Sequence, residues 1–410
     1  MKILNFGSCN IDYVYTLDHI VREGETQSTV KMETFPGGKG LNQSIAIARA
    51  GAQVYHAGCI GADGTALQTL LTESGVDVSF LQTLPAKNGH AIIQVNAVGQ
   101  NAIFLYAGTN EMIDKPFIDS VLAHFGAGDI LLLQNEISNV QYIIDQAHGK
   151  DMRIIFNPSP YNQTIQTIDF NKLSYILLNE VEAKEISACS TPEEALAYFH
   201  RDFPRLKVVL TLGEKGCVYQ DSQQQLEQAA FHVQAVDTTG AGDTFTGYFV
   251  AGLASGTQEK TILQTASAAS ALAVSRKGAA PSIPTKDEVL KALKTLKASV
   301  YDNRKQRTVN QIEAYLEEHI QNASLKELSS LLGYSVVYTG NLVKQLTGLP
   351  FSALLQKKRC GIAAQKLRDT NEPISEIIYS VGYENEGFLR SIFKKYYGKS
   401  PLAFRRGKNQ

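Results

Sequence analysis

None of the five cysteines (Cys9, Cys59, Cys189, Cys217, Cys360) forms a CxxC pair; they are scattered along the chain. That scatter argues against a zinc site or a disulfide framework and points to a reducing compartment, the cytoplasm. Long hydrophobic runs are also missing. No stretch reaches the roughly 18 uninterrupted apolar residues of a membrane span, and Met1-Lys-Ile-Leu-Asn-Phe-Gly begins directly as a strand. Neither a signal peptide nor a membrane segment is therefore expected. Net charge is nearly absent too, at −1. That balance conceals an asymmetry: residues 304–410 hold 17 Lys+Arg against 9 Asp+Glu, and residues 1–303 hold 22 against 31. A basic block behind an acidic one fits either a nucleic-acid-binding module or a solvated surface. With 410 residues, 44% of them hydrophobic, two or three domains with real cores are expected.

The stretch that organises the chain is Ala235-Val-Asp-Thr-Thr-Gly-Ala-Gly-Asp-Thr-Phe245. The alternation of Phe231, Val233 and Ala235 predicts a strand ending at Asp237, with a turn at Gly240 and Gly242 and a helix opened by Asp243. Such a turn aims free backbone N–H groups and a positive helix end at one point, which suits a phosphate in transit. A carboxylate there can take a proton from an attacking hydroxyl; alternatively, Asp243 only caps the helix.

Upstream, Lys2–Ser8 reads as a buried strand leading to Asn10 and Asp12, which suit sugar hydroxyls or merely form a turn. Phe35-Pro-Gly-Gly-Lys-Gly-Leu-Asn-Gln43 precedes a helix over Ser44–Ala50; its glycines admit a ligand, and Lys39 and Asn42 add a charge and an amide. His90–Val98 and Asn101–Tyr106 form a hairpin around Gly99-Gln100 that, with Asp12–Lys31, makes a small lid sheet. Strands at Asp129–Gln134, Arg153–Asn157, Tyr175–Leu178 and Lys207–Leu212 alternate with helices such as Asn139–His148 and Pro192–Asp202. This is the pattern of a doubly wound α/β sheet with ligands at the strands' carboxyl ends.

With these motifs in hand, residues 1–296 resemble the ribokinases of the PfkB carbohydrate kinase family. The resemblance is carried by Gly37–Gln43, Asp237–Phe245, the N-x-x-E of Asn179 and Glu182, and Thr211–Gly216. It implies that Asn10, Asp12, Gly38, Lys39, Asn42 and Glu136 hold the sugar and that Asp243 is the base. Gly240, Ala241 and Gly242 would form the anion hole. Asn179, Thr211, Gly213, Gly216, Gly242 and Ser267 would line the ATP site, with Glu182 organising Mg²⁺ through water. A monovalent-cation (K⁺) site is implied at Asp237 and Thr239, closed by Ala273, Arg276, Gly278 and Ser282. Ribose leads the implied substrates, with deoxyribose, another small sugar or a nucleoside as alternatives, and the lid is associated with pairing of subunits into a homodimer.

After a last amphipathic helix over Lys286–Leu296, the polar Lys297–Arg307 reads as a linker and residues 308–410 as purely helical. Ser324-Leu-Lys-Glu327 is a capping box for Leu325–Leu332, which stops at Gly333. Pro373–Tyr383 and Phe388–Tyr397 repeat the layout about fifty residues on, giving two helix-turn-helix units. The second copy resembles the C-terminal signature of AraC-type transcription regulators. This implies double-stranded DNA as a partner, with Tyr338, Thr339 and Asn341 facing bases in the first unit and Asn385, Glu386 and Arg390 in the second. Lys344, Lys394, Lys395 and Arg406 meet phosphates or solvate the surface. Two functions compete: a working kinase joined to a DNA-binding regulator, or a regulator whose kinase fold only senses sugar.

Overall fold

The computed structural model describes residues 1–96, 100–296, 303–370, 372–383 and 386–406, and the chain divides into two compact units, 1–300 and 301–410. In the first unit β1 (Ile3–Phe6), β4 (Val54–Gly61), β5 (Asp77–Leu84), β8 (Ile130–Gln134), β9 (Arg153–Asn157), β10 (Tyr175–Asn179), β11 (Lys207–Thr211), β12 (Cys217–Gln220) and β13 (Gln225–Gln228) form one sheet. Its order is β13-β12-β11-β10-β9-β8-β1-β4-β5. The seven strands from β11 to β5 are parallel; β12 and β13 are antiparallel at one edge. Alternate β-branched and leucine side chains feed two cores, one per face: Ile3, Ile130, Leu132 and Ile155 on one, Leu4, Phe6, Leu131 and Ile154 on the other. Burial on both faces is why these strands read as unbroken apolar runs.

From β1 the chain winds outward to β4 and β5, then returns to β8 and winds the other way. The reversal falls between β1 and β8, and an open crevice at such a point is where α/β folds bind ligands. Above it stands a second sheet, β3-β2-β6-β7, from β2 (Asn10–Leu17), β3 (Lys31–Gly37), β6 (Gly89–Asn96) and β7 (Asn101–Tyr106). The hairpin turn expected at Gly99 lies outside the described residues. β2 starts at Asn10, an expected sugar contact, and β3 ends at Gly37, next to Gly38, so both lid strands run into segments that carry expected sugar contacts.

Three expectations need correction. The alternation at 231–237 does not make a strand: only Phe231 bridges, and the N–H groups of Val236 and Asp237 donate to the Val274 carbonyl instead. The first helix spans Lys39–Arg49 rather than starting at Ser44, because Gly38, at a positive φ of 96°, supplies the turn and the helix opens five residues earlier. Residues 303–307, read as linker, open the helix Asn303–Glu318.

The second unit is helical. Ile312, Leu316, Leu328, Val343 and Leu354 form one small core, and Cys360, Ala364, Ile377, Ile378, Val381 and Phe393 a second. The helix Phe351–Asp369 contributes to both, joining two helix-turn-helix units. Arg359 ties them together by donating to the carbonyls of Ile320 and Gln321.

Candidate active site

Asp243 is the third residue of the helix Ala241–Ala254, whose N-cap is Gly240 in the left-handed region (φ 73°). Its carboxylate caps nothing, which removes the alternative of a plain helix cap. Asn42 Nδ2 donates to Oδ2 at 3.0 Å and Gln43 Nε2 to Oδ1 at 2.9 Å, so each oxygen has its own amide donor. These donors arrive because the helices Lys39–Arg49 and Ala241–Ala254 pack backbone to backbone. A Cβ on Gly247 would run into Ala46 and meet Gln43 O and Ile47 N at 2.9 Å. Asn42, Gln43 and Asp243 are all buried. A row of amides continues inward. Gln134 Nε2 donates to Gln43 Oε1 at 2.7 Å and to Asn5 Oδ1 at 2.9 Å, and Gln43 also reaches Asn157 Oδ1 at 3.1 Å. Gln43, Gln134 and Asn157 carried no expected role, although Gln43 stands beside Asn42 in the glycine-rich motif.

The helix's first turn is open. No atom outside its own stretch of helix lies within 4 Å of where a Cβ on Gly242 would sit; the Ala241 amide donates to Thr238 O at 3.3 Å, and first-turn amides without such an acceptor attract anions.

Around Asp243 the remaining expected sugar residues converge. Glu136 Oε2 accepts from the Ser8 hydroxyl and from Lys39 N at 3.0 Å. Burial raises the Glu136 carboxyl above the ordinary range, opposed by Lys39 and Ser8. Burial disfavours the Lys39 ammonium, yet Asp243, Glu136 and Glu182 together outweigh it and hold the lysine charged above its usual range. Asp12 is pushed up to about 6, first by burial and then by Glu136 and Asp243. Asn10 is fixed by Asn110, whose Nδ2 donates to Oδ1 at 2.7 Å. Asn42 Oδ1 is buried without a hydrogen-bond partner. A buried acceptor left in that state is costly unless a ligand donor meets it.

The expected nucleotide residues lie at the ends of β10 and β11. Asn179 and Glu182 form a capping box: Asn179 Oδ1 accepts from the amides of Val181 and Glu182, and Glu182 Oε2 accepts from Asn179 N at 3.0 Å. Thr211 Oγ1 donates to Leu178 O at 3.3 Å. Gly213 (φ 55°) faces open space, while at Gly216 (φ 106°) a Cβ would collide with Gln228 O. Ser267 is buried, 3.7 Å from Cys217 Sγ.

Among the described residues no group of three or more His, Cys, Asp or Glu could cage a metal. A single buried carboxylate such as Glu182 fits an ion held mainly by water and phosphate oxygens, as Mg²⁺ is. On the other side of the helix start, Asp237 bridges two loops. Its Oδ1 accepts from Thr239 N and its Oδ2 from Gly278 N, both at 2.9 Å. Ser282 Oγ donates to Ala279 O, Arg276 N to Ala273 O, and the Arg276 guanidinium pairs with Glu288 at 2.6 Å. The expected cation residues thus share one oxygen-rich pair of loops.

In the second unit Tyr338 and Asn341 are exposed on the helix Val336–Thr347, but Thr339 is fully buried beside Val343. Thr339 faces the core and cannot meet a base; this corrects the expectation. Arg390, Lys394 and Lys395 are exposed on the helix Glu386–Tyr397. Asn385 lies outside the described residues, as do the side chains of Glu386 and Arg406.

An α/β sheet with a β lid, a carboxylate between two amides and an open helix start at its switch point defines a small-molecule kinase, here continued by a helix-turn-helix domain. The pfkB family of carbohydrate kinases matches residues 1–286, and the chain belongs to that family. A helix-turn-helix domain matches residues 328–407. A ribokinase of Bacillus subtilis is 35% identical over 293 residues, covering 70% of this chain and 98% of the relative. The solved structure of a Cryptococcus neoformans ribokinase with ADP aligns with TM-score 0.63 and 33% identity, covering 71% of this chain and 99% of that one. The Arabidopsis thaliana ribokinase complexed with ribose and ATP aligns with TM-score 0.64 and 28% identity, covering 72% and 98%.

Proposed function

We propose that this carbohydrate kinase transfers the γ-phosphoryl group of ATP to a primary hydroxyl of a small sugar, D-ribose first, and that residues 308–410 bind duplex DNA to regulate transcription. The observation that carries the kinase reading is Asp243, clamped by Asn42 and Gln43 on the first turn of an open helix N-terminus. A molecule that only sensed sugar would need neither a base nor an anion-binding turn.

Asn10, Asp12, Gly38, Lys39, Asn42 and Glu136 hold the sugar hydroxyls. The orphaned Asn42 Oδ1 accepts one of them. With ribose, the O5 proton passes to Asp243 as O5 forms its bond to the γ-phosphorus, and the bond to the β-phosphate oxygen breaks to release ADP. The amides of Gly240, Ala241 and Gly242 stabilise the charge on the transferring group. Asn179, Thr211, Gly213, Gly216, Gly242 and Ser267 receive the nucleotide. Glu182 would help hold Mg²⁺ through water, and the ion would supply charge neutralisation at the phosphates. Asp237 and Thr239, with Ala273, Arg276, Gly278 and Ser282 mostly through backbone oxygens, would hold K⁺, which would supply positive charge beside the helix start. The lid pairs two subunits into a homodimer, and the protein works in the cytoplasm. Among the described residues no helix is long and apolar enough to cross a membrane.

Phosphorylation measured across a panel of pentoses, deoxyribose, hexoses and nucleosides with full-length protein tests this reading. Ribose should give the highest kcat/KM. Binding of a sugar without turnover on any member would instead favour the sensor reading, which the basic helix-turn-helix unit otherwise supports equally.

A further inference from the structure

The first helix-turn-helix unit exposes a cluster of apolar side chains at its turn. Val337 is 77% exposed, Leu331 58%, Tyr338 53%, Tyr334 46% and Val336 43%. Thr339 and Val343 fix the phase of the helix Val336–Thr347 by pointing into the core. The outward stripe is therefore Val337, Asn341 and Lys344, at spacings of four and three, with Tyr338 alongside. Tyr338 is steadied by Tyr334, their rings 4.9 Å apart. The helix carries no acidic residue, and its exposed cation, Lys344, lies two turns beyond Val337.

The N-terminal residues of the second helix of such a motif meet base edges in the major groove. Val337 has no donor or acceptor to offer there. Among the four base pairs, the apolar feature of the major-groove edge is the C5-methyl of thymine. Asn341, one turn further, has the bidentate amide that suits adenine N6 and N7. A protein partner would also cover apolar residues, but the run from apolar tip to amide to lysine, without an acid, matches a groove whose floor is bases and whose walls are phosphates.

We propose that the first unit selects A·T pairs by direct contact, Val337 packing on thymine methyl groups with Tyr338 beside it, while Asn341 reads the adjoining adenine. This rests on the DNA-binding reading above. It assigns specificity in this unit to the loss of water from methyl groups rather than to charge.

The test uses full-length protein and duplexes enriched from a random pool by retention at low salt. Replacing each thymine of the enriched site by uracil removes one methyl and leaves pairing intact. At one or two positions affinity should fall roughly fourfold, the worth of one buried methyl-sized group. Val337→Ala, at a position too exposed to disturb the fold, should bind with lower affinity and lose that thymine–uracil difference. Swapping cytosine for 5-methylcytosine at a position where thymine was selected should restore part of the affinity in the wild type alone. If uracil is tolerated at every position, or Val337→Ala remains as sensitive as the wild type, DNA is bound but the methyl readout is wrong. If no duplex is retained at low salt, the DNA-binding reading falls with it.

Discussion

At the scale of residues, the site is a set of polar groups made costly by burial and recovered through pairing. Asp12 shows the cost of burial most clearly. The folded protein holds its proton to about pH 6, where an unperturbed aspartate releases it near 3.8. The native state therefore binds more protons than the unfolded chain between these values, and stability falls as pH rises from about 4 to 6. Asp12→Asn should remove this slope. Urea unfolding should show a gain on the order of 1–3 kcal/mol at pH 7 and little at pH 4, while sugar affinity drops sharply. Unchanged stability at pH 7 would contradict the burial cost. Gln43 makes the complementary case. Gln43→Leu takes one amide from Asp243 and leaves Gln134 and Asn157 short of a partner. A hydrogen bond to a charged group is worth about 1.5–3 kcal/mol, so kcat should fall roughly 10- to 100-fold with sugar affinity little altered. An equal rise in sugar Kd would make Gln43 a binding residue instead. Asn42 and Asp243 stand out in the sequence because each sits in a motif of its own, and the structure brings them together. The Gln43–Asp243 contact was not legible there, since it joins residues 200 apart and exists only once two helices touch. Thr339 failed for a related reason: helical spacing gives a periodicity, but the core decides which phase faces inward.

Among elements, glycines set how closely helices and ligands approach, and two of them in one helix make opposite predictions. Gly242 lies against open space and Gly247 against Ala46 and the backbone of the facing helix. Gly242→Ala should leave thermal stability within about 1 kcal/mol of wild type, alanine being the better helix former, but impair phosphoryl transfer by crowding the anion-binding turn. Gly247→Ala should destabilise by roughly 1–3 kcal/mol through overpacking and separate Asn42 and Gln43 from Asp243. Equal stability of the two variants would refute the close packing. In the second unit Gly340→Ala has room, its Cβ meeting only Leu325 Cδ2 at 3.4 Å. It should stabilise that helix by up to ~1 kcal/mol. The central strands were legible to within a residue or two because unbroken apolar runs bounded by polar turns mark strands buried on both faces. The segment 231–237 was not: it has the alternation of a strand but its amides at 236 and 237 turn to Val274.

For the whole molecule, the two compact units predict two unfolding transitions in calorimetry. Ribose with a non-hydrolysable ATP analogue should raise the transition of residues 1–300, by mass action on the native state. A single transition for the full-length chain would mean that the units fold as one. The fusion itself raises the question of coupling. Operator affinity with no ligand, with sugar, and with sugar plus the analogue answers it, since a coupling of ~1–3 kcal/mol appears as a change of about 5- to 150-fold. By reciprocity, operator DNA must then change sugar affinity by the same factor.

The central claim is that Asp243 takes the proton from the sugar hydroxyl in a working kinase. Its most direct measurement is turnover of full-length Asp243→Asn on the best sugar of the panel, with sugar and ATP binding measured separately by calorimetry. General-base assistance is worth ~10²–10⁴-fold, so the account predicts a loss of that size with both ligands still bound. Turnover close to wild type in this variant would contradict it.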